Sequence, residues 1–237
     1  MKQNQQKPLH AIFSDIPPHY DLINHIATLG LDTKWRNALA RKCLENKPSK
    51  MLDLCCGTGD LALTVARFSN GQAEITGLDF SKEMLQFATH KAEERKATSI
   101  KFVYGDASAM PFEDGTFDSV GISFGFRNLT YANPAAKKHL SEILRVLKKG
   151  GRFVIAETSQ PNSKFVRFFF HLYMKLFVAP IGILISKNKP AYRYFAKSTC
   201  EYYDRHQIKK LLLDAGFQSV EYKPMMLGAS SIVLAIK

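Results

Sequence analysis

The sequence predicts an α/β protein built on a doubly wound, mostly parallel seven-stranded sheet. Three observations carry that expectation. From Lys50 onward, short apolar runs alternate with segments of helical spacing, the pattern of βαβ units whose sheet is covered on both faces. A glycine-containing turn, DLCCGTGD (53–60), follows the first run and opens the first helix of that series. Asp79 and Asp106 end the second and third runs, where a parallel sheet presents its ligand-bearing carboxyl edge.

The elements follow in order. The opening MKQNQQKPLH is polar and lacks an apolar h-region, so no signal peptide is expected. Residues 13–36 read as helical, which makes 1–47 an N-terminal helical segment ahead of a main domain over 48–237. MLDL (51–54) reads as a strand, Leu61 to Phe68 as a helix, EITGLD (74–79) as a strand and Glu83 to Lys96 as a helix. IKFVYGD (100–106) and FDSVGISF (117–124) are further strands, Ala135 to Leu147 a helix and GRFVIAE (151–157) the fifth strand. After a helical insertion at 160–200, basic and rich in aromatic residues, DRHQIKKLLLDAGF (204–217) has helical spacing with Asp204 as N-cap and Gly216 just past the end. SVEYKP and SSIVLAIK then form an antiparallel hairpin that closes the sheet.

At 237 residues, 46% hydrophobic and 23% charged, the chain supports a full-sized core. Collagenous, coiled-coil and wholly disordered classes are excluded. The formal charge of +12 points to an anionic partner, and it is unevenly placed. Residues 158–237 hold 12 basic and 4 acidic side chains. Between Glu157 and Glu201 there is no Asp or Glu, but seven Lys or Arg and nine Phe or Tyr. The longest apolar run there, Leu176 to Ile185, has ten residues and contains Pro180 and Gly182. A spanning helix needs about 20, so no transmembrane segment is expected. Cys43, Cys55, Cys56 and Cys200 show neither zinc-ligand spacing nor a disulfide framework, which fits a reducing cytoplasm.

The chemistry concentrates at the strand ends. Gly57 and Gly59 would let backbone N–H groups and a helix N-terminus approach a ligand. The dinucleotide fingerprint GxGxxG fails at Ala62, and no P-loop sequence exists. Asp79, 20 residues beyond Gly59, suits the two hydroxyls of a ribose; Asp106, with Ala107 beside it, suits an adenine amino group. The plainer reading makes both aspartates turn or helix caps. Arg127 and Asn128 stand just past the fourth strand at the same edge. Either Arg127 pairs with a nearby carboxylate, or its permanent charge holds a developing anion. Phe13, Tyr20, Asp21 and Asn24 lie on the N-terminal helix, with core or substrate-contacting roles equally open. His19 and His25 do not share a helical face, so no metal site is expected, and Cys55 and Cys56 read as small core residues.

DLCCGTGD, GLDFS, GDASAMPFEDGTFDSV and LKKGGRFVIAE, in that order, resemble class I S-adenosylmethionine-dependent methyltransferases over residues 48–157. ISFGFRNLT (122–130) and FSDIPPHYDLINHIATLGLDTKWR (13–36) narrow the resemblance to the ubiquinone/menaquinone biosynthesis C-methyltransferase family, over nearly the whole chain. The resemblance implies S-adenosylmethionine as cofactor, the glycine turn holding its methionine part, and Thr58, Asp79, Asp106, Ala107 and Ser123 contacting it. It also implies a polyprenylated quinol substrate; for that chemistry Arg127, Asn128 and Tyr20 are the catalytic candidates, and segment 1–47 would lie on the substrate side. The chain departs from the family pattern at AETS (156–159), where Phe is common in place of Thr158, and over 196–204.

Demethylmenaquinol is the expected ring, with the methoxy-benzoquinol precursor of ubiquinone as the alternative. A nucleic-acid methyltransferase would also suit the basic charge, but the aromatic residues of the insertion lie beside LFVAPIGILI, too apolar for a wet groove. A non-catalytic cofactor-binding protein would lack Arg127 or the glycine turn. The expected location is the cytoplasm, peripheral at the membrane face; a homodimer is left open.

Overall fold

The computed structural model describes residues 17–237, with side chains from Asp21 onward. Phe13 and the side chains of His19 and Tyr20 therefore lie outside the described residues. Two helices, α1 (Pro17–Ala27) and α2 (Leu31–Leu44), lead into the sheet. They are joined at Gly30, whose φ of 76° is a left-handed turn that a side chain would strain. The series then runs β1 (Lys50–Leu54), α3 (Asp60–Ser69), β2 (Glu74–Asp79), α4 (Lys82–Glu94), β3 (Lys101–Tyr104) and β4 (Phe117–Ser123). It continues with α5 (Phe126–Thr130), α6 (Ala136–Val146) and β5 (Leu147–Thr158). After the insertion come α10 (Arg205–Ala215), β6 (Ser219–Met225) and β7 (Ser230–Ile236).

The seven strands lie in the order β3-β2-β1-β4-β5-β7-β6. β1 to β5 pair in parallel, and β7 runs antiparallel between β5 and β6. The expected fold class and closing hairpin are therefore present. Alternation along β1 divides the core: Leu52 and Leu54 face one cluster with Ile143 of α6 and Ile208 and Leu212 of α10. Met51 faces the other, with Leu39 and Cys43 of α2 and Leu61 and Val65 of α3. Full burial of such a side chain contributes about 1.5–3 kcal/mol, so α2 is held to the sheet by the same force as the later helices.

The sequence places the third strand at 100–106, but it ends at Tyr104, so Asp106 stands in the turn beyond, bridged to Ala109. The short helix α5 is not anticipated at all.

The insertion is helical, and it is the continuity of its first helix that departs from expectation. α7 (Lys164–Tyr173), a π-helical turn (Met174–Val178) and α8 (Ala179–Ser186) run on as one helix, followed by α9 (Lys189–Cys200). The whole element, Lys164–Ser186, has 23 residues, and an 18-residue stretch of it reaches a mean hydropathy of 1.9, enough by length and composition to cross a membrane. Counting uninterrupted apolar residues undervalued it. Pro180 does not end the helix, because the wide π turn before it accommodates a missing donor. Gly182 lies against the ring of Tyr192, leaving no room for a side chain.

Candidate functional site

β1 and β4 are neighbours although β2 and β3 intervene in the chain. That switch point opens a crevice at the carboxyl edge, where open α/β sheets bind ligands. Two adjoining cavities occupy it, and Cys55, Gly57, Ser123, Phe124 and Asn128 line both.

The first cavity is lined by Asp79, Asp106 and Ala107. Asp79, 7% exposed at the end of β2, accepts the Gly57 N–H at Oδ2 (2.8 Å) and the Ser81 N–H at Oδ1 (2.9 Å). Two backbone donors thus fix the carboxylate at the end of β2. Asp106 accepts the Ser108 N–H at Oδ1 (2.6 Å). Both aspartates therefore organise backbone turns, and both line the cavity. Gly57, at φ 53°, has no atom within 4 Å of where a Cβ would stand; the opening above it is one a ligand can fill.

Two residues of the glycine turn act otherwise than expected. Gly59 lines neither cavity. At φ 79° it packs against α4 and β3, where a Cβ would come within 3.0 Å of Ala88 and 3.1 Å of Phe102, so its role is close packing and turn geometry. The Thr58 hydroxyl donates to Asp21 Oδ1 (2.8 Å) and accepts from Lys91 Nζ (2.8 Å). It lines the second cavity but not the one holding Asp79, and ties α1 to the turn.

The second cavity carries aromatic walls from Trp35, Phe170, Tyr173, Tyr194 and Phe195. Trp35 meets Phe124 at 5.8 Å between ring centres. Arg127, 2% exposed, lines the same space. Helix α5 supplies it: the backbone N–H of Arg127 donates to Glu157 Oε2 (2.9 Å) at the end of neighbouring β5. The guanidinium lies over the Phe195 ring (5.0 Å), donates from Nη1 to the Ser198 hydroxyl, and brings Nε to 3.9 Å from Glu157 Oε1. The pairing with a nearby carboxylate is thus present, inside the cavity. Glu157 Oε1 also accepts the backbone N–H and hydroxyl of Thr158 (2.8 and 2.9 Å), so the residue that departs from the family pattern helps hold this carboxylate. Asn128 Oδ1 is buried with no hydrogen-bond partner among the described residues, at the boundary of the two cavities. A buried acceptor in that state suits a ligand donor.

Several lining residues escaped the sequence reading. Asp53, fully enclosed, accepts the Ala62 N–H at Oδ2 (2.9 Å), and burial pushes its pKa up to about 8, with the charges of Asp79 and Asp60 adding to the rise. Arg36 joins Asp32 and Asp60, both at 3.1 Å from Nη2. Cys55 and Phe124 adopt φ values of 53° and 57°, unusual for side chains of their size. Burial and nearby carboxylates raise the Cys55 and Cys56 thiols well above the usual value, which leaves them un-ionised, as core residues would be. The readable signal for Glu157 was position: a carboxylate ending β5, one strand from Arg127. No group of three or more metal-binding side chains occurs among the described residues; His25 Nδ1 instead lies 2.9 Å from Asp32 Oδ1.

This geometry has known counterparts. A demethylmenaquinone methyltransferase from Thermus thermophilus is 39% identical over 221 residues, covering 93% of this chain and 97% of its own. One from a Geobacillus species is 34% identical over 237 residues, with both chains fully covered. Among solved structures, a SAM-dependent methyltransferase from Aquifex aeolicus superposes with a TM-score of 0.58 at 17% identity, over 83% of this chain and 88% of that one. A SAM-dependent methyltransferase from Thermotoga maritima gives 0.60 at 16% identity, over 96% and 99%. At those identities the likeness is one of fold. The family model described as the ubiE/COQ5 methyltransferase family matches residues 1–237, and the chain belongs to that family.

Proposed function

We propose that the protein transfers a methyl group from S-adenosylmethionine to a ring carbon of a polyprenylated quinol, demethylmenaquinol, and so forms menaquinol. The observation that carries this reading is the contact between two unlike cavities. One has carboxylates suited to a ribose and an adenine, the other aromatic walls with the buried Arg127 guanidinium beside Glu157, and they share Asn128 and Gly57. A planar ring in the second cavity lies beside a cofactor in the first.

The residues fit the cofactor: Gly57 leaves its backbone open, Asp79 is fixed at the end of β2 and Asp106 in the turn after β3. Bound there, S-adenosylmethionine supplies an electrophilic methyl group. The chain's own work falls on the acceptor. A quinol carbon becomes strongly nucleophilic when a ring hydroxyl loses its proton. Arg127, permanently cationic, favours that ionised form. Phe195 and Ser198 hold the guanidinium in one orientation, and the buried Asn128 Oδ1 suits a hydrogen bond from the other ring hydroxyl, which keeps its proton. The aromatic walls exclude water and fix the ring against the methyl group. Incubation with labelled S-adenosylmethionine and either the naphthoquinol or the methoxy-benzoquinol, followed by mass spectrometry, tests the assignment. A methylated naphthoquinol is expected; a product only from the benzoquinol would reassign the ring.

The substrate's tail lies in a bilayer, and the α7–α8 helix supports peripheral docking on the cytoplasmic membrane face. Its inner face, with Phe170, Tyr173 and Met174, lines the ring cavity. Its outer face exposes Phe165 (72%), Phe168 (62%), Phe169, Leu172 and Leu176. Two turns elsewhere also expose a large apolar side chain each. Exposed Leu29 follows Ala27, whose carbonyl accepts the Tyr173 hydroxyl at 3.0 Å. Leu227, 82% exposed, precedes Gly228, which packs against Pro161. A patch of this kind marks an interaction surface, and the unpaired basic side chains beside it suit an anionic leaflet. The helix therefore lies along the membrane, with its cavity side towards the protein.

A further inference from the structure

The groove between the α7–α8 helix and α9 is distinct from the two cavities at the sheet edge. His171, Lys175 and Ala179 form one wall at intervals of four residues, and Arg193 and Lys197 stand on the other. Small residues, Ala179 and Ala196, keep its floor open. Several basic groups elsewhere, Arg36, Lys91, Arg145, Lys148, Arg152 and Lys210, meet carboxylates. Lys175, Arg193 and Lys197 meet none among the described residues. The one acid in the groove, Glu201, is engaged by the Tyr131 hydroxyl at 2.7 Å. Three like charges along one groove repel, and an anion between them relieves that repulsion.

We propose that this groove seats the phosphodiester headgroup of an anionic glycerophospholipid. Position selects a lipid over other anions: Lys175 lies between Leu172 and Leu176 of the exposed apolar face, so the groove runs along the flank of the surface that would meet acyl chains. A headgroup sits at just such a border. Arg193 offers a planar fork for phosphate oxygens and the lysines offer point charges. His171 reports on the groove, since burial and the charges of Lys175 and Arg167 hold its pKa below the usual value, and a bound anion would raise it.

The proposal rests on the membrane-docking reading and is tested beside it. Full-length protein is floated with neutral phosphatidylcholine vesicles, with vesicles containing phosphatidylglycerol, and with vesicles given the same charge by a carboxylate lipid. Wild type should prefer phosphatidylglycerol over the carboxylate lipid. Arg193→Gln with Lys197→Gln should lose at least about tenfold in recovery, whereas Lys187→Gln with Lys189→Gln, the same charge change outside the groove, should lose less than about threefold. Both variants should retain cofactor binding, which reports on folding. Equal losses in the two variants, or equal recovery with the two anionic lipids, would overturn the headgroup seat and leave docking intact. No recovery of wild type with any vesicle would overturn both. The His171 resonance should shift on adding phosphatidylglycerol micelles; the same shift with millimolar inorganic phosphate or RNA would identify a different anion and also overturn the lipid assignment.

Discussion

Arg127 Nε stands 3.9 Å from Glu157 Oε1, with the two side chains only 3% and 1% exposed. Each end of the pair is held by other bonds, to Ser198 on one side and to Thr158 on the other. A guanidinium so fixed offers the cavity a directed fork as well as a charge. Arg127→Lys keeps the charge and loses the planar fork. Turnover at saturating quinol should fall more than about tenfold while cofactor affinity barely changes. Retention of turnover within a factor of two would make Arg127 a structural partner of Glu157 only.

The Asp79 carboxylate is fixed by two backbone donors in the first cavity. Asp79→Ala should weaken S-adenosylmethionine binding by about 1–3 kcal/mol, through loss of hydrogen bonds to a charged acceptor. Titration calorimetry on the folded variant measures this, and unchanged affinity would remove Asp79 from the ribose.

Asp53 predicts a pH dependence. Its folded pKa, raised to about 8 chiefly by burial, exceeds the unfolded value of about 3.9. Between those values the folded state holds a proton that the unfolded state has released. This group therefore lowers stability as pH rises from about 4 to about 8, with little further change above. Asn at this position still accepts the Ala62 N–H but never ionises. Asp53→Asn should match wild type near pH 4 and exceed it in melting temperature at pH 8, by a margin worth up to a few kcal/mol. A pH-independent difference between the two would show that Asp53 does not titrate in this window.

The sheet was legible because its signals are local. Strand lengths, the glycine turn and the Asp204 cap each lie within a few residues, and Asp204 indeed accepts the backbone N–H groups of His206 and Gln207. What the sequence hid depends on contacts across the chain. The partner of Thr58 is Asp21, 37 positions away, and that of Arg127 is Glu157, 30 away. No spacing rule connects them. Gly59 misled for a different reason: the same residue type serves ligand access and tight packing, and only Ala88 and Phe102 beneath it decide which. A helical insertion was expected, but its unbroken length was hidden because Pro180 and Gly182 ordinarily punctuate structure, whereas here a π turn and the Tyr192 ring accommodate them.

The last prediction concerns the outer face of that helix. Phe165, Phe168 and Leu176 are 72%, 62% and 58% exposed, and none of them lines the ring cavity. Water is a poor environment for three such side chains, and inserting each into an acyl boundary contributes up to about 1.5–3 kcal/mol. Replacing all three with Gln removes that term without touching Arg127, Asn128 or Asp79. Recovery with phosphatidylglycerol vesicles should then fall more than about tenfold. The kinetic signature separates docking from chemistry. A quinol with a short, soluble tail reaches the cavity from water, so its turnover should be unchanged, whereas the KM for a full-length polyprenyl quinol in vesicles should rise. If both substrates slow equally, the helix supports the active site and not the membrane; if vesicle recovery is unchanged, the exposed face has some other partner.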